Sequence, residues 1–444
     1  MKRAQKSDTV YLLAFFLSVI VAGAMLLCLP AAWSGTPERP GSLSPIDALF
    51  TATSAVCVTG LTSVDTSKFT FLGQAIIMGL IQLGGLGIIS FTSLMLIVPG
   101  QRLSFRRLGT IKSFSIRGVE HDPVKILRNI VFFTFLIETM GALALLPVFS
   151  AAAVPNSAFT AAFHSISAFC NAGFSVFPNN LEDYRSEPYV LLVISALIVT
   201  GGIGFIVLQD LALRIRGKKT NLSYHTKLML GSTLVLILAG GAAFWFLEGN
   251  GSFAGMGPVD RLVNSLFQSI TPRTAGFNAV HQTGLRQSSK FITMLLMFIG
   301  GAPGSIAGGI KISTAYIVLL VMLKRANERG EINALGRRVS PAKINAAVTY
   351  FIKAVFLLVF AAGILSLFEG KRSAEFGHIA FEVVSAFGTV GLSLDFTAGL
   401  SLPGKLVIIA TMFAGRVGLL AVMFLGGSSR AENFVYPEAD ILLG

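Results

Sequence analysis

Long apolar runs separated by short polar segments dominate the pattern of the chain. They cover residues 10–29, 72–98, 126–149, 189–213, 226–247, 291–323, 346–368 and 404–426. Each run reaches or exceeds the roughly 20 residues that an α-helix needs to cross a hydrocarbon core of about 30 Å. The pattern therefore predicts eight transmembrane helices.

Four shorter apolar segments lie between alternate pairs of these runs. They cover residues 45–57, 157–170, 259–271 and 374–387. With 13 or 14 residues each, they are too short to cross the membrane and are typical of re-entrant half-helices. Non-helical backbone at membrane depth is tolerated only where it is buried in protein or lines a cavity. A half-helix followed by a polar, Gly-containing turn therefore indicates an ion path.

The turns that follow the four short segments share one pattern. Each contains a glycine, and these are Gly60, Gly173, Gly276 and Gly391. A serine stands six residues before the glycine in three of the turns, whereas Ile270 stands there in the third. Each following run contains a second cluster of small residues, at 84–87, 201–204, 300–304 and 414–418.

A unit of span, half-helix, glycine turn and span is therefore repeated four times in parallel orientation. One unit alone would be half open to lipid, so we predict an all-α polytopic membrane protein with eight transmembrane helices and four re-entrant pore helices around one central pore. The predicted divisions are 1–98 for the first repeat, 99–213 for a basic cytoplasmic loop and the second repeat, 214–323 for the third repeat with its broken Gly-rich second span, 324–430 for the fourth repeat and 431–444 for a cytoplasmic tail.

The candidate ion filter comprises each turn glycine and the two residues before it. These residues are Val58, Thr59, Gly60, Asn171, Ala172, Gly173, Thr274, Ala275, Gly276, Thr389, Val390 and Gly391. Their side chains share no chemistry, which indicates that backbone carbonyls are the ligands. Glycine permits positive φ, so successive carbonyls can point one way. Rings of carbonyls can replace the hydration shell of a monovalent cation, and the carbonyl ends of the half-helices add negative potential.

A candidate gate lies in the run 291–323, where residues 300–309 include five glycines and a proline. Glycine costs about 1 kcal/mol and proline about 3 kcal/mol against alanine in a helix, so we predict a break beneath the third filter turn. The break is interpreted as a gate loop, with a passive kink as the alternative. The gate residues are Gly300, Gly301, Ala302, Pro303, Gly304, Ser305, Gly308, Gly309 and Lys311.

Arg416 places a charge deep in the last run, and such a charge marks a functional site by default. If it faces the cavity below the filter, it forms a barrier to cations. The alternative is a buried ion pair with an acid such as Glu138 or Asp210. For Lys311, a role in stabilising the closed loop and a snorkelling or paired lysine both stay open.

Other polar groups accompany the half-helices. We predict that Glu138, His164 and Glu382 form anchoring hydrogen bonds behind the filter. Asp65 and Asp395 follow two of the filter turns, where they either attract cations to the mouth or are solvated loop acids.

The composition supports a membrane protein, since 53% of residues are hydrophobic and 13% are charged, against about a quarter charged in soluble domains. A soluble enzyme, a disordered chain and a nucleic-acid-binding domain all fit poorly, despite the formal net charge of +13. Lys and Arg concentrate in the N-terminus and in segments 99–128, 209–227 and 324–345. The positive-inside rule then puts both termini in the cytoplasm and the four half-helices on the outer side.

Sequence motifs for catalysis or cofactor binding do not emerge. No GxSxG, HExxH or paired-aspartate arrangement lies in the runs, the five histidines show no ligand spacing, and the three cysteines form no CxxC pair,. We therefore expect a transporter and no enzyme. The chain has no phosphate-binding loop either, so we expect no cofactor of its own, and any nucleotide dependence must come from a partner.

The sequence resembles the membrane subunit of bacterial Ktr/Trk potassium uptake systems, in the superfamily that includes the plant HKT transporters. The most specific segments are Thr271-Pro272-Arg273-Thr274-Ala275-Gly276-Phe277, Gly300 to Lys311, and Arg416. The resemblance covers nearly the whole chain. Eight spans without additional N-terminal helices resemble the KtrB type more than the TrkH type.

This resemblance implies channel-like potassium uptake across the bacterial cytoplasmic (inner) membrane. It implies a homodimer associated with a cytosolic ring of RCK subunits that bind ATP/ADP or NAD, with membrane lipids around it and no nucleic acid. The filter has one glycine per repeat, so the preference for K⁺ over Na⁺, and Na⁺ as an activator, stay open. The alternatives are a carrier-type secondary transporter with rocking repeats and a Na⁺-conducting relative with the same fold.

Overall fold

The structure, a computed structural model, describes residues 2–35, 41–97, 123–217, 220–327, 330–370 and 375–417. These residues are mostly helical, with a two-stranded hairpin. In chain order the helices are α1 (Lys2–Leu27), α2 (Pro45–Val56), α3 (Phe71–Ile97), α4 (Pro123–Ala151), α5 (Ser157–Phe169), α6 (Pro188–Gly202), α7 (Phe205–Ile215), α8 (Tyr224–Leu247), α9 (Pro258–Ile270), α10 (Gln287–Phe298), α11 (Ile312–Leu323), α12 (Pro341–Glu369), α13 (Phe376–Gly388) and α14 (Leu402–Val417).

Three of the described helices are individually long and apolar enough to cross a membrane. They comprise Lys125–Ala151 within α4, all of α8 and all of α12. The bent pair α6 and α7 passes the same test when taken together, as a broken span or a re-entrant loop. Shorter apolar helices are Leu12–Leu27, Phe71–Gly87, Ile312–Leu323 and Phe376–Gly388. The described residues thus give three or four spans by length and composition, and the total of eight stays a prediction.

The run 189–213, expected to form one span, is bent by 102° between α6 and α7. Gly204 lies at the bend with a φ of +88°, a conformation that glycine adopts without the steric cost of a side chain. The amide of Phe205 leaves the helical pattern and donates to the carbonyl of Gly304 at 3.0 Å. The second small-residue cluster of this repeat is therefore a helix break.

The predicted break in the run 291–323 is confirmed. Helix α10 ends at Phe298 and α11 begins at Ile312, and we call the intervening residues 299–311 the central loop. Its two ends meet, because the amide of Gly300 donates to the carbonyl of Ile310 at 2.8 Å. The chain thus leaves and re-enters helical structure at nearly the same place.

The four short helices, α2, α5, α9 and α13, begin and end within two residues of their predicted bounds. Each contributes a phenylalanine that is at most 1% exposed: Phe50, Phe163, Phe267 and Phe381. These phenylalanines lie nine or ten residues before the turn glycines. Full burial of one aromatic side chain per short helix shows that each helix is packed into the protein interior.

A short hairpin follows α11. Strand β1 (Ile332–Ala334) pairs antiparallel with β2 (Arg337–Val339), with Ala334 opposite Arg337. Lys324, just after α11, donates from Nζ to the carbonyl of Asn333 at 3.0 Å. The hairpin is thus attached directly to the end of the helix that leads from the central loop.

Candidate ion pathway

The four turns share an unusual backbone conformation. The residue two before each glycine has positive φ: Val58 (55°), Asn171 (56°), Thr274 (73°) and Thr389 (48°). The glycines themselves have φ of 93°, 68°, 76° and 98° in chain order. Positive φ is a genuine outlier for a β-branched residue, and each instance costs on the order of 1–3 kcal/mol. The same two positive-φ positions, the glycine and the residue two before it, therefore recur at four separate places in the chain.

The turns meet one another in a closed ring. A Cβ added to any turn glycine would come far closer than 3.0 Å to the carbonyl oxygen of the residue before the next glycine. The contacts are Gly60 to Ala172 at 2.4 Å, Gly173 to Ala275 at 2.7 Å, Gly276 to Val390 at 2.1 Å and Gly391 to Thr59 at 2.3 Å. The fourth turn thus returns to the first, and a side chain at any of the four positions would displace backbone.

All twelve predicted filter residues lie in this ring of turns. The structure brings them together although they come from four places in the chain. A side-chain contact adds to the backbone ring, because the Asn171 amide lies 3.3 Å from Thr274 Oγ1. The second and third turns are thereby joined behind the backbone.

Hydroxyl groups hold the turns from behind. Ser54 Oγ accepts from the amide of Gly60 at 3.0 Å and Ser385 Oγ accepts from that of Gly391 at 3.1 Å. Ser167 Oγ donates to the carbonyl of Phe174 at 2.7 Å. In the third turn Thr271 Oγ1 donates to the carbonyl of Phe277 at 2.5 Å.

The sequence alignment of the turns missed Thr271, because it compared residues six before each glycine and found Ile270 there. The third turn is offset by one residue: the amide of Gly276 donates to the carbonyl of Thr271 at 3.2 Å, while the matching bond in the first turn joins Thr59 and Ser54 at 2.8 Å. The sequence signal that could have identified Thr271 is a hydroxyl side chain five residues before the glycine, where the other turns have a serine six residues before it.

The polar groups expected behind the filter form the anchoring hydrogen bonds that were predicted. His164 lies 2.9 Å from Ser175 Oγ through Nε2 and 2.8 Å from the carbonyl of Thr160 through Nδ1. Glu382 accepts from Ser393 Oγ at 2.7 Å and from the hydroxyl of Thr397.

Glu138 lies next to the second turn, because its Oε1 accepts from Cys170 Sγ at 3.7 Å, and its Oε2 accepts from Gln82 Nε2 at 3.0 Å. This bond joins α4 to α3, so Glu138 anchors two long helices to each other.

A buried ion pair joins the end of the chain to its beginning, and sequence reasoning missed it. Lys405 of α14 donates from Nζ to Asp47 Oδ1 of α2 at 2.6 Å, and both side chains are buried. The same Asp47 oxygen accepts from Ser63 Oγ at 2.8 Å, three residues after Gly60. The sequence places the two charges 358 residues apart, so only the fold reveals the pair.

The central loop contacts the segments that carry all three other turns. The amide of Ala302 donates to the carbonyl of Gly202 at 2.9 Å. A Cβ on Gly308 would lie 2.1 Å from Thr389 Oγ1, and Ile306 lies near Gly85. Of the nine predicted gate residues, Pro303 and Lys311 are half-buried and the others are buried. Lys311 donates from Nζ to the carbonyl of Ala307, so it closes the end of the loop.

Arg416 connects the loop to α3. It is 4% exposed, and its guanidinium donates to the carbonyls of Ile306 and, at 3.0 Å, of Gly84. Within the described residues no acidic group lies within 4.0 Å of it. The two acids considered as partners bind elsewhere, since Glu138 accepts from Gln82 and Asp210 accepts from the amide of Ser223. The alternative of a buried pair with either acid is therefore wrong.

A cavity of about 400 Å³ lies on one side of the ring, next to residues that follow the turn glycines. Gly60, Gly173 and Gly391 line it, together with loop residues. His281 bridges it, with Nδ1 3.2 Å from Glu182 and Nε2 3.0 Å from Asp395.

Asp65 also lines this cavity, but its carboxylate accepts from the amide and hydroxyl of Ser67 at 2.8 and 2.7 Å. Asp65 therefore caps a helical turn as well as facing the cavity.

A sequence model of the TrkH family, described as cation transport protein, matches residues 1–427. The chain belongs to this family. The potassium/sodium uptake protein NtpJ of Enterococcus hirae is 39% identical over 100% of this chain and 99% of its own length. The Ktr system potassium uptake protein B of Bacillus subtilis is 38% identical over 97% of this chain and 95% of its own. The resemblance seen in the sequence is thus confirmed.

A solved structure supports the fold independently. The potassium transporter TrkH of Vibrio parahaemolyticus is similar with a TM-score of 0.76 over 95% of this chain and 85% of that chain, at 18% identity. Family membership and the long apolar helices together make this TrkH-family protein a multi-pass membrane protein.

Proposed function

We propose that this protein takes up potassium ions through a filter of backbone carbonyls. The observation that carries the proposal is the closed ring of glycine turns, in which the carbonyls of Thr59, Ala172, Ala275 and Val390 face the neighbouring glycines. Such carbonyls can replace the hydration shell of K⁺. The names of NtpJ and of the Ktr system protein B, both uptake proteins for potassium, support the choice of ion.

The proposed architecture is four parallel repeats of span, half-helix and span, with eight transmembrane helices around one pore. The repeated buried phenylalanine, the repeated strained turn and the Asp47–Lys405 pair support it. The protein lies in the inner membrane of the cell, with both termini in the cytoplasm. The distribution of Lys and Arg supports this orientation.

The central loop is the proposed gate. It touches the three other repeats beneath the ring, and Arg416 holds it through the carbonyl of Ile306. The positive charge of Arg416 at this place also opposes the passage of a cation. Opening requires a second arrangement of the loop, and a ligand or partner that favours it shifts the population toward the conducting state.

A cytosolic, nucleotide-binding regulatory subunit is the proposed source of that bias, with a homodimer of this chain as the membrane assembly and Na⁺ as an activator. The Ktr relative is named as part of a system, which supports a partner. The path for such control starts at the hairpin, because Lys324 bonds to Asn333 at one end of α11 and Lys311 closes the central loop at the other.

Uptake of K⁺, Rb⁺ and Na⁺ by purified protein in liposomes tests the function. We expect K⁺ and Rb⁺ to enter faster than Na⁺. Gly276→Ser should reduce this preference at least tenfold, because a Cβ there would lie 2.1 Å from the carbonyl of Val390. A tenfold change corresponds to a difference of about 1.4 kcal/mol in binding free energy.

The matched control is Gly231→Ser in α8, where no atom lies within 4 Å of an added Cβ. A folded Gly276→Ser protein with unchanged ion preference would contradict the carbonyl filter. Equal entry of Na⁺ and K⁺ into liposomes with the unaltered protein would favour the alternative of a Na⁺-conducting relative with the same fold. The name of NtpJ, a potassium/sodium uptake protein, is compatible with that alternative.

A further inference from the structure

A second cavity, of about 320 Å³, lies between the beginning of α4 and the end of α7, away from the ion pathway. Asn129, Gln209 and Arg216 supply its polar lining, and Phe132 and Phe133 supply aromatic walls. Small-molecule sites usually enclose roughly 300–1,000 Å³. The cavity is therefore large enough to hold a small polar group such as a lipid headgroup.

The floor of this cavity contains an unsatisfied acceptor. Gln209 is 7% exposed, and its Oε1 has no hydrogen-bond partner in the described part of the chain. Buried polar atoms in native proteins nearly always have a partner, because leaving one unpaired costs free energy. The position of Gln209 therefore calls for a donor from a bound molecule.

The rim carries a positive charge. Arg216 follows the last residue of α7, and its side chain is exposed while it also lines the cavity. A guanidinium binds phosphate through two parallel hydrogen bonds. The amide of Asn129, on the facing helix, can donate to the same anion.

The surface beside the cavity is apolar and unpaired. Phe132 is 56% exposed and Ile215 is 84% exposed, as expected for side chains that face acyl chains in a membrane. The segment 209–227 is one of the basic segments that the positive-inside rule assigns to the cytoplasm. The cavity thus lies at the level of the headgroups of the inner leaflet, whose anionic lipids attract basic residues.

We propose that this cavity binds phosphatidylglycerol. The phosphate lies against Arg216 and Asn129, a glycerol hydroxyl of the headgroup donates to Gln209 Oε1, and the acyl chains run over Phe132. Phosphatidylcholine has the phosphate but no headgroup donor and no net charge. Phosphatidylethanolamine has a donor but no net charge, so it satisfies Gln209 and is attracted less by Arg216.

The test measures binding of dioctanoyl phosphatidylglycerol, phosphatidylethanolamine and phosphatidylcholine to the purified full-length protein in detergent by native mass spectrometry. We expect phosphatidylglycerol to bind at least about tenfold more tightly than phosphatidylcholine, which lacks both the headgroup donor and the net charge, and more tightly than phosphatidylethanolamine, which lacks the net charge. Equal binding of the three lipids overturns the proposal and needs no variant.

Variants locate the site. Arg216→Gln and Gln209→Leu should each weaken phosphatidylglycerol binding, by about tenfold and about fivefold, because each removes one hydrogen-bonding partner. Arg214→Gln is the matched control, since Arg214 is exposed on the same helix but does not line the cavity. An equal loss in Arg214→Gln would show attraction to surface charge in general and overturn the proposal. The readout is independent of ion flux, so it does not depend on the proposed potassium filter.

Discussion

Removing one partner of the buried pair of Asp47 and Lys405 should be among the most destabilising single substitutions in this fold,. Removing one partner of a buried ion pair typically costs about 3–5 kcal/mol, because it leaves an uncompensated charge in a medium of low dielectric constant. In Lys405→Met the Asp47 carboxylate keeps hydrogen bonds from Ser44 Oγ at 2.6 Å and Ser63 Oγ at 2.8 Å. We therefore expect a loss near the lower end, about 3 kcal/mol.

The double variant Asp47→Asn/Lys405→Met removes both charges and keeps side chains of similar volume. Replacing a whole buried pair is often nearly neutral, so the double variant should be more stable than Lys405→Met by at least about 1 kcal/mol. Such a recovery is the signature of a direct interaction between the two groups.

The assay is thermal unfolding in detergent of the unaltered protein, both single variants Asp47→Asn and Lys405→Met, the double variant and a control, measured as the fraction that stays monodisperse after heating. Lys227→Met is the control, because Lys227 is exposed on α8 and surface substitutions usually change stability by no more than about 0.5 kcal/mol. If Lys405→Met is as stable as Lys227→Met, or if the double variant loses the sum of the single losses, the pair does not hold α2 and α14 together.

Three further predictions concern the pathway. Arg416→Gln should raise Rb⁺ uptake severalfold while the protein stays folded, because two bonds from the guanidinium to loop and helix carbonyls disappear; lower stability without a gain in flux would contradict this. Deletion of several residues between Ala302 and Gly309 should give high flux that no longer responds to a regulatory partner, and flux as slow as that of the intact protein without partner would show that the loop is a kink. Thr271→Val should weaken K⁺ preference more than it affects folding, since it removes the bond to Phe277 at 2.5 Å, and an unchanged preference in liposome uptake would assign the threonine to packing alone.

Much of the local structure could be predicted because it depends on composition over short stretches. Segment length separated the short helices from the long runs, and glycine with proline at residues 300–309 predicted the break that the structure shows at 299–311. The bend at Gly204 was missed, because a glycine cluster in an apolar run is equally compatible with a continuous helix; its cause is a bond from Phe205 to the carbonyl of Gly304, more than ninety residues away in the sequence.

The partners of the charged residues depend on contacts across the whole fold, so the sequence left them open. Arg416 could have paired with an acid, yet it uses backbone carbonyls that exist only because the central loop and α3 come close to it. Neither Asp47 nor Lys405 lies in a sequence motif that would have indicated its partner. The offset of one residue in the third turn likewise hid Thr271, since alignment on the glycines assumed identical geometry in all four turns.

The central loop has a further consequence for how such a protein can be built. It follows the third turn and contacts the segments that carry the other three turns, so it lies among all of them. An assembly of four identical chains would bring four such loops to one place, where only one fits. A single covalent chain avoids this steric conflict, because each repeat can diverge on its own while the ring of turns keeps its common geometry. The proposed gate is therefore asymmetric, and joining the four turns in one polypeptide is what permits that asymmetry.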